Sequence, residues 1–99
     1  MNLLKNLPFN NEKPAVLAVR KSDKINVLAI GLKKDQVLSE HKTGLPTLLT
    51  VVRGSIDFKI QEEVIHLEEL DTFQIPVNKL HEAVGKEEEN VFTLTQEKE

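Results

Sequence analysis

Histidines are the residues of this 99-residue chain best suited to chemistry, because an imidazole can bind a metal ion, transfer a proton or hydrogen-bond a ligand near neutral pH. The three histidines are His41, His66 and His81, and the chain has no cysteine. The lack of cysteine excludes disulfides, thiolate zinc sites and cysteine nucleophiles. The serines occupy or adjoin predicted turns without a glycine elbow, so nucleophilic catalysis has no support either.

His66 differs from the other two histidines in its neighbours. It lies in the run Val64-Ile65-His66-Leu67, where strand alternation turns Ile65 and Leu67 toward a buried face. We therefore predict that His66 faces solvent. Glu68 shares its face two residues later, but a surface metal site on this pair is only a minor alternative.

The elements that must position the histidines are strands. Short β-prone runs separated by turn signals follow one another from residue 15 onward, and no window of a dozen residues keeps a helical period. We predict strands at 15–20, 25–32, 45–53, 55–61, 63–67, 72–75, 81–84 and 91–95, with hairpin turns at 22–24, 53–55, 61–63 and 86–90. Many short antiparallel strands at this spacing indicate a sandwich or a small barrel.

Alternation within the strands assigns their faces. Ile56, Phe58 and Ile60 share one face, which we predict to be buried, while Asp57 points to water. The segment 48–52 is apolar on both faces and needs cover on both sides. An opposing sheet could cover one side and a partner subunit the other, so we expect a homodimer.

Two of the histidines fall into the pattern of a known family. The first motif of the cupin superfamily reads glycine, five residues, His-x-His, three or four residues, glutamate, six residues, glycine; the corresponding residues here are Asp35, His41, Thr43, Thr47 and Gly54. The second motif reads glycine, five residues, Pro-x-Gly, two residues, histidine, three residues, asparagine; the corresponding residues are Leu70, Pro76, Asn78, His81 and Gly85. The chain resembles a small single-domain cupin with degenerate metal-binding motifs.

This resemblance implies an all-β fold, the antiparallel β-barrel that is also described as a double-stranded β-helix or a jelly roll. It covers residues 15–95 of a single domain spanning residues 1–99. Residues 1–14 have weak periodicity and form an N-terminal arm in this interpretation. We expect the arm to be extended and to dock loosely or on a partner subunit.

The turn positions of the two motifs can be interpreted physically. Gly54 lies between strands, where a tight turn favours positive φ. Asn78 replaces a motif glycine and is the residue that most readily follows glycine into the left-handed region. Leu70 also replaces a motif glycine, so we expect either a turn of another shape or about 1 kcal/mol of strain. Pro76 lacks an N–H and suits the start of a strand.

The resemblance also bears on metal binding. In metal-binding cupins the two histidines and the glutamate of the first motif join the histidine of the second motif, positions that here hold His41, Thr43, Thr47 and His81. Two imidazoles without a carboxylate fall short of the three protein ligands that catalytic metal sites use. We expect no metal cofactor, and a divalent ion on His41 and His81, completed by water or substrate, is the alternative.

Three functions stay open at this point. The favoured one is binding of a small organic molecule, without a tightly bound metal, in a barrel pocket lined by His41, Thr43, Thr47, Leu49, Val51, Phe58 and His81. The second is a metal-dependent cupin enzyme of the dioxygenase or isomerase type, using His41 and His81. The third is a structural or partner-binding module with a vestigial pocket. The residues do not decide whether the protein is an enzyme.

Composition limits the partners. A net charge of -3 and the lack of tryptophan and tyrosine argue against nucleic acid. The longest charge-free apolar stretch, 25–32, is too short to span a membrane. The first residues lack the features of a secretory signal peptide, and the lack of cysteine fits a reducing compartment. We therefore expect a cytoplasmic protein.

Overall fold

A computed structural model describes residues 1–41 and 44–98, with residues 40 and 41 described by their backbone alone. Within these ranges the regular secondary structure is nine β-strands and one short helix. The elements are α1 (Leu3–Asn6), β1 (Ala15–Lys21), β2 (Ile25–Lys33), β3 (Val37–His41), β4 (Thr47–Arg53), β5 (Ser55–Ile60), β6 (Glu63–Glu68), β7 (Thr72–Ile75), β8 (His81–Gly85) and β9 (Glu89–Glu97). No helix of the described chain is long and apolar enough to cross a membrane.

The strands form two antiparallel sheets that pack face to face. One sheet has the order β1-β2-β9-β4-β7 and the other has the order β3-β8-β5-β6. Each sheet contains neighbours that are distant in sequence, such as β4 with β9 and β3 with β8. The predicted all-β fold is therefore confirmed.

Apolar side chains from both sheets fill the space between them. The predicted inward residues Ile56, Phe58 and Ile60 are all buried, and Asp57 between them is partly exposed. Alternation is thus a correct guide to the faces of β5. The core cluster consists of Ile30, Leu32, Leu49, Val51, Ile56, Phe58, Ile60, Leu67, Ile75, Ala83, Phe92 and Leu94.

Two of the predicted hairpins are wrong. The turns at 22–24 and 61–63 do join paired strands, β1 with β2 and β5 with β6. The turns at 53–55 and 86–90 instead carry the chain from one sheet to the other, because β4 and β9 lie in one sheet and β5 and β8 in the other. A local turn signal is the same for both kinds of connection, so it cannot distinguish them.

The corner where the chain changes sheets is held by the buried side chain of Asn90. Its Oδ1 accepts hydrogen bonds from the backbone N–H groups of Ser55 and Glu87, at 3.0 Å each. Its Nδ2 donates to the carbonyls of Leu32 at 3.0 Å and Glu87 at 2.9 Å. A Cβ added to Gly85 would lie 2.6 Å from this Nδ2. Gly85 occupies the position of the motif asparagine, and the side chain of Asn90 fills the space beside it.

Strand β3 was missed by the sequence patterns. Only Val37 and Leu38 give it an apolar signal, and a charged segment precedes them. Its register is set by pairing with β8, where Val37 lies opposite Val84 and Leu38 opposite Ala83. A strand whose position depends on a partner more than 40 residues away has little local signature.

The positions of the motif glycines share one backbone conformation. Asp35, Gly54, Leu70 and Asn78 have φ values of 67°, 73°, 71° and 59°. The predictions for Gly54 and Asn78 are confirmed. At Leu70 the turn keeps the left-handed conformation despite the side chain, so the second alternative, a strained leucine, is the one that the structure shows.

The N-terminal arm differs from the extended segment that we predicted. It begins with the short helix α1, and its Leu7 is buried with Ala29 and Val91 on the outer face of the five-stranded sheet. Phe9 packs so closely on Gly31 that a Cβ there would lie 2.9 Å from its ring. Gln36 donates from Nε2 to the carbonyl of Asn10. The arm therefore packs on its own sheet, because Gly31 leaves room for an aromatic ring.

Candidate functional site

The end of the barrel opposite Gly54 carries the polar residues of interest. Strands β4 and β5 meet at Gly54, so Thr47 and Ile60 mark their far ends. The register places His81 opposite Ile60, and Gln96 opposite Thr47. Asn26 lies opposite Gln96 on the next strand. We call the set Asn26, Thr47, Ile60, His81 and Gln96 the His81 end.

His81 faces the core, as predicted, and its side chain is held on two sides. It is 4% exposed, and its ring stacks on that of Phe58 with centroids 5.3 Å apart and an interplanar angle of 28°. Its Nδ1 lies 3.0 Å from the carbonyl oxygen of Lys79. A carbonyl only accepts hydrogen bonds, so Nδ1 carries the proton in this contact. A neutral ring therefore accepts any further hydrogen bond at Nε2.

The chain before β8 determines how His81 enters the barrel. Strand β7 ends at Ile75, Pro76 follows, and Asn78 adopts a left-handed φ of 59°. This bend reverses the chain, so that β8 begins at His81 in a sheet different from that of β7. The sequence QIPVNKLH is thus a crossing between sheets that ends on an inward histidine.

His41, the second predicted imidazole, is opposite His81 in the backbone register of β3 and β8. A register shift between Leu38 and His41 precedes this pair. The side chain of His41 and the whole of Thr43 lie outside the described residues. The pairing of the two histidine backbones is therefore a finding, whereas their use as a site stays a prediction.

Polar side chains of the five-stranded sheet complete the His81 end. Thr47 is buried and donates from Oγ1 to the carbonyl of Leu45 at 2.9 Å. Gln96 donates from Nε2 to Oγ1 of Thr47 at 3.4 Å. The Oδ1 atom of Asn26 is buried and has no hydrogen-bond partner among the described residues. Within the described part of this end, that acceptor is therefore unsatisfied.

The sequence predictions did not include Asn26 or Gln96. Asn26 is an even number of residues away from the core residues Ile30 and Leu32 on β2. Alternation alone would therefore have turned its side chain toward the core. Gln96 was overlooked because the last strand was predicted to stop at 95, whereas β9 continues to Glu97.

The other predicted pocket residues lie deeper in the barrel. Leu49 and Val51 are fully buried in the core cluster, and Phe58 lies between His81 and Phe73. The structure thus brings Phe58 and His81 into contact and places Thr47 at the same end. A ligand pocket that includes Leu49 and Val51 stays a prediction.

The described side chains do not fit a metal ion. Among residues 1–39 and 44–98, no group of three or more His, Cys, Asp or Glu side chains is placed to hold one. At the His81 end the oxygen of Thr47 is already hydrogen-bonded to Leu45 and Gln96. Amides and a hydroxyl are weak substitutes for the carboxylate or imidazole ligands that divalent transition metals select.

His66 lies outside the barrel, as predicted. Its half-exposed ring contacts Asp57, with 2.8 Å between Nδ1 and Oδ1, and lies 3.6 Å from Glu68 Oε1. Lys86 Nζ lies 3.6 Å from Asp57 Oδ2. The hydrogen bond to His66 lowers the pKa of Asp57; partial burial opposes this effect, and the positive charge of Lys86 adds to it. These residues form a solvent-facing charge network.

A cleft of about 360 Å³ lies on the five-stranded sheet, and His81 is not among its lining residues. It surrounds Leu48, whose outward neighbours Gln74 and Thr95 lie on either side in the register. The residues that line it are Pro46, Thr47, Leu48, Gln74, Ile75, Val77, Thr95 and Glu97. Thr47 alone is shared with the predicted pocket.

Solved structures of the same shape exist among bacterial proteins. A cupin superfamily protein from Desulfitobacterium hafniense superposes with a TM-score of 0.88 at 17% identity, covering 100% of this chain and 90% of that chain. A conserved protein with a double-stranded β-helix domain from Klebsiella pneumoniae gives a TM-score of 0.89 at 17% identity, covering 98% and 87%. KdgF from a Halomonas species gives 0.86 at 16% identity, covering 100% and 93%.

The sequence comparisons give no closer relationship. No protein-family model and no curated protein sequence matches the chain. At identities this low, similarity of structure shows a shared fold and carries no function with it. The resemblance seen in the two motifs is therefore confirmed for the fold alone. The chain has the cupin fold, an antiparallel double-stranded β-helix.

Proposed function

We propose that the protein binds a small, uncharged, hydroxylated organic molecule at the His81 end of the barrel. The observation that carries this proposal is the buried Oδ1 of Asn26, which has no hydrogen-bond partner among the described residues. A buried acceptor without a partner costs about 1–3 kcal/mol. A hydroxyl group of a ligand would donate to this oxygen and recover that energy.

The chemical class follows from the surrounding side chains. Asn26, Thr47 and Gln96 are neutral and carry both donors and acceptors, and the described part of this end has no carboxylate or ammonium group facing inward. Hydroxyl groups match such surroundings because each one both donates and accepts. The rings of His81 and Phe58 stack on each other and are buried on the core side of these residues.

The experiment combines detection of a bound molecule with a paired set of variants. Native mass spectrometry of the purified protein detects a retained small molecule, and thermal melting with glucose, myo-inositol and N-acetylglucosamine tests added ones. We expect a rise in melting temperature with at least one of these compounds. Asn26→Leu should abolish that rise and, without ligand, should melt at or above the wild-type temperature because it removes the unsatisfied oxygen.

His66→Ala is the matched control, because it removes a histidine outside the barrel and should leave the ligand-dependent rise intact. Wild-type protein that retains no small molecule and responds to none of the three compounds would contradict the proposal. That result would favour the interpretation of the barrel as a vestigial pocket in a partner-binding module.

A further inference from the structure

A row of three neutral polar side chains crosses the five-stranded sheet at the His81 end. Gln96 on β9 lies directly opposite Asn26 on β2 and directly opposite Thr47 on β4. Residues directly opposite one another share a face of the sheet, with Cβ atoms about 5 Å apart. The next inward row on the same strands is apolar and consists of Leu28, Leu94 and Leu49. The polar row thus borders an apolar inner surface, and its side chains are the ones that can hydrogen-bond a ligand there.

Hydrogen bonds within this row fix the orientation of the Gln96 amide. Thr47 donates its single hydroxyl hydrogen to the carbonyl of Leu45 at 2.9 Å, so its Oγ1 can only accept from a further partner. Gln96 meets this requirement by donating from Nε2 at 3.4 Å. A reversed amide would set Oε1 of Gln96 against an oxygen that has no hydrogen left to donate. Thr47 therefore holds the amide with Nε2 toward itself and Oε1 turned away from it.

Two oxygens of the row are left as acceptors for a ligand. Oε1 of Gln96 accepts no hydrogen bond within the described parts of the chain, and Oδ1 of Asn26 is buried without one. An amide oxygen accepts hydrogen bonds and never donates them. A ligand that satisfies both oxygens must therefore donate twice. Its two donors must lie close together, because Asn26 and Gln96 are direct neighbours on adjacent strands.

We infer that Thr47 is a positioning residue that makes this site selective for vicinal diols, in which two neighbouring carbons each carry a hydroxyl group. The inference rests on the proposed function and narrows its ligand class from hydroxylated molecules to those with two adjacent donors. One hydroxyl donates to Oδ1 of Asn26 and the other to Oε1 of Gln96. An ether oxygen in place of either hydroxyl removes a donor and leaves one acceptor unpaired, so binding weakens at least tenfold.

Two matched compounds test the selectivity of the wild-type protein. The cis vicinal diol of cyclohexane has two hydroxyl donors, whereas its mono-O-methyl ether keeps the same ring and both oxygens but has one donor. Dissociation constants are measured by NMR titration of isotope-labelled protein, in which the side-chain amide signals of Asn26 and Gln96 report on binding. We expect the diol to bind at least tenfold more tightly than the ether.

Substitutions of Thr47 test its positioning role. Thr47→Val has nearly the same shape but accepts no hydrogen bond, so the amide of Gln96 can turn and the preference for the diol should fall to within threefold. Thr47→Ser is the matched control, because it keeps the hydroxyl group and should keep the tenfold preference. Gln96→Glu added to Thr47→Val should restore that preference, since a carboxylate presents an acceptor in either orientation. A purely structural role of Thr47 would weaken binding of both compounds equally and would leave their ratio unchanged.

Gln96→Met tests the pair of acceptors without altering Thr47, at a partly exposed position, and should also reduce the preference to within threefold. An unchanged preference in Thr47→Val or Gln96→Met, or no recovery in the double variant, would overturn the inference in protein with unchanged circular dichroism. A wild type that responds to glucose, myo-inositol or N-acetylglucosamine but does not prefer the diol to its ether, including one that binds neither, would overturn it while the proposed function stands. Protein that responds to none of these compounds would contradict both.

Discussion

The ring of His81 stacks on the ring of Phe58, with 5.3 Å between centroids, and this contact joins the polar end of the barrel to its core. Phe58 in turn contacts Phe73, with centroids 5.1 Å apart. These ring contacts therefore connect His81 and Phe58 of the four-stranded sheet with Phe73 of the five-stranded sheet. His81 is therefore part of the packing as well as a candidate ligand group.

The first prediction concerns this contact. His81→Ala should lower the free energy of unfolding by about 1–3 kcal/mol, because a buried ring is lost from beside Phe58. Chemical denaturation measures the change. His66→Ala, which removes a half-exposed ring, should change it by less than about 0.5 kcal/mol. Equal effects of the two substitutions would show that His81 contributes nothing to packing.

The second prediction concerns the corner residue Asn90. Asn90→Ala should destabilise the protein by about 3 kcal/mol or more, because it leaves the buried N–H groups of Ser55 and Glu87 without an acceptor. Asn10→Ala is the control, since Asn10 accepts from Glu12 in an exposed turn. A loss below about 1 kcal/mol for Asn90→Ala would contradict the role of this side chain in the corner.

The third prediction concerns backbone strain at Leu70. This residue has a φ of 71° and is 84% exposed, so its side chain adds strain without packing. Leu70→Gly should raise the free energy of unfolding by about 0.5–1 kcal/mol. Gly54→Ala should do the opposite at a similar φ of 73°, because its Cβ would lie 2.5 Å from Oδ1 of Asn90. Thermal or urea unfolding measures whether each substitution raises or lowers the free energy of unfolding.

The fourth prediction concerns pH. His66 lowers the pKa of Asp57 below its ordinary value of 3.8, so ionised Asp57 stabilises the fold fully above that value and loses this contribution as pH falls through the lower, folded-state pKa. His66→Ala should raise the pKa of Asp57, and carbon NMR titration of the carboxyl group measures it. Lys59→Ala, which removes a separate contact to Glu82, should leave that pKa unchanged.

Much of the fold can be predicted from the sequence because its signals are local. Alternation places Ile56, Phe58 and Ile60 in the core, and the spacing of the two motifs leads to the cupin fold. Backbone preference accounts for Gly54 and Asn78, whose left-handed φ values follow from residue type. Each of these conclusions depends on residue type and on spacing along the chain, and none requires knowing which distant strands pair.

The site required the tertiary structure. Strands β2, β9 and β4 pair across some 70 residues of sequence, and this pairing places Asn26, Gln96 and Thr47 side by side. The pairing of the His41 and His81 backbones depends on β3, which has almost no local signal. Residue type and alternation determine which side of a strand a residue faces, whereas hydrogen bonding between distant strands decides which residues become neighbours.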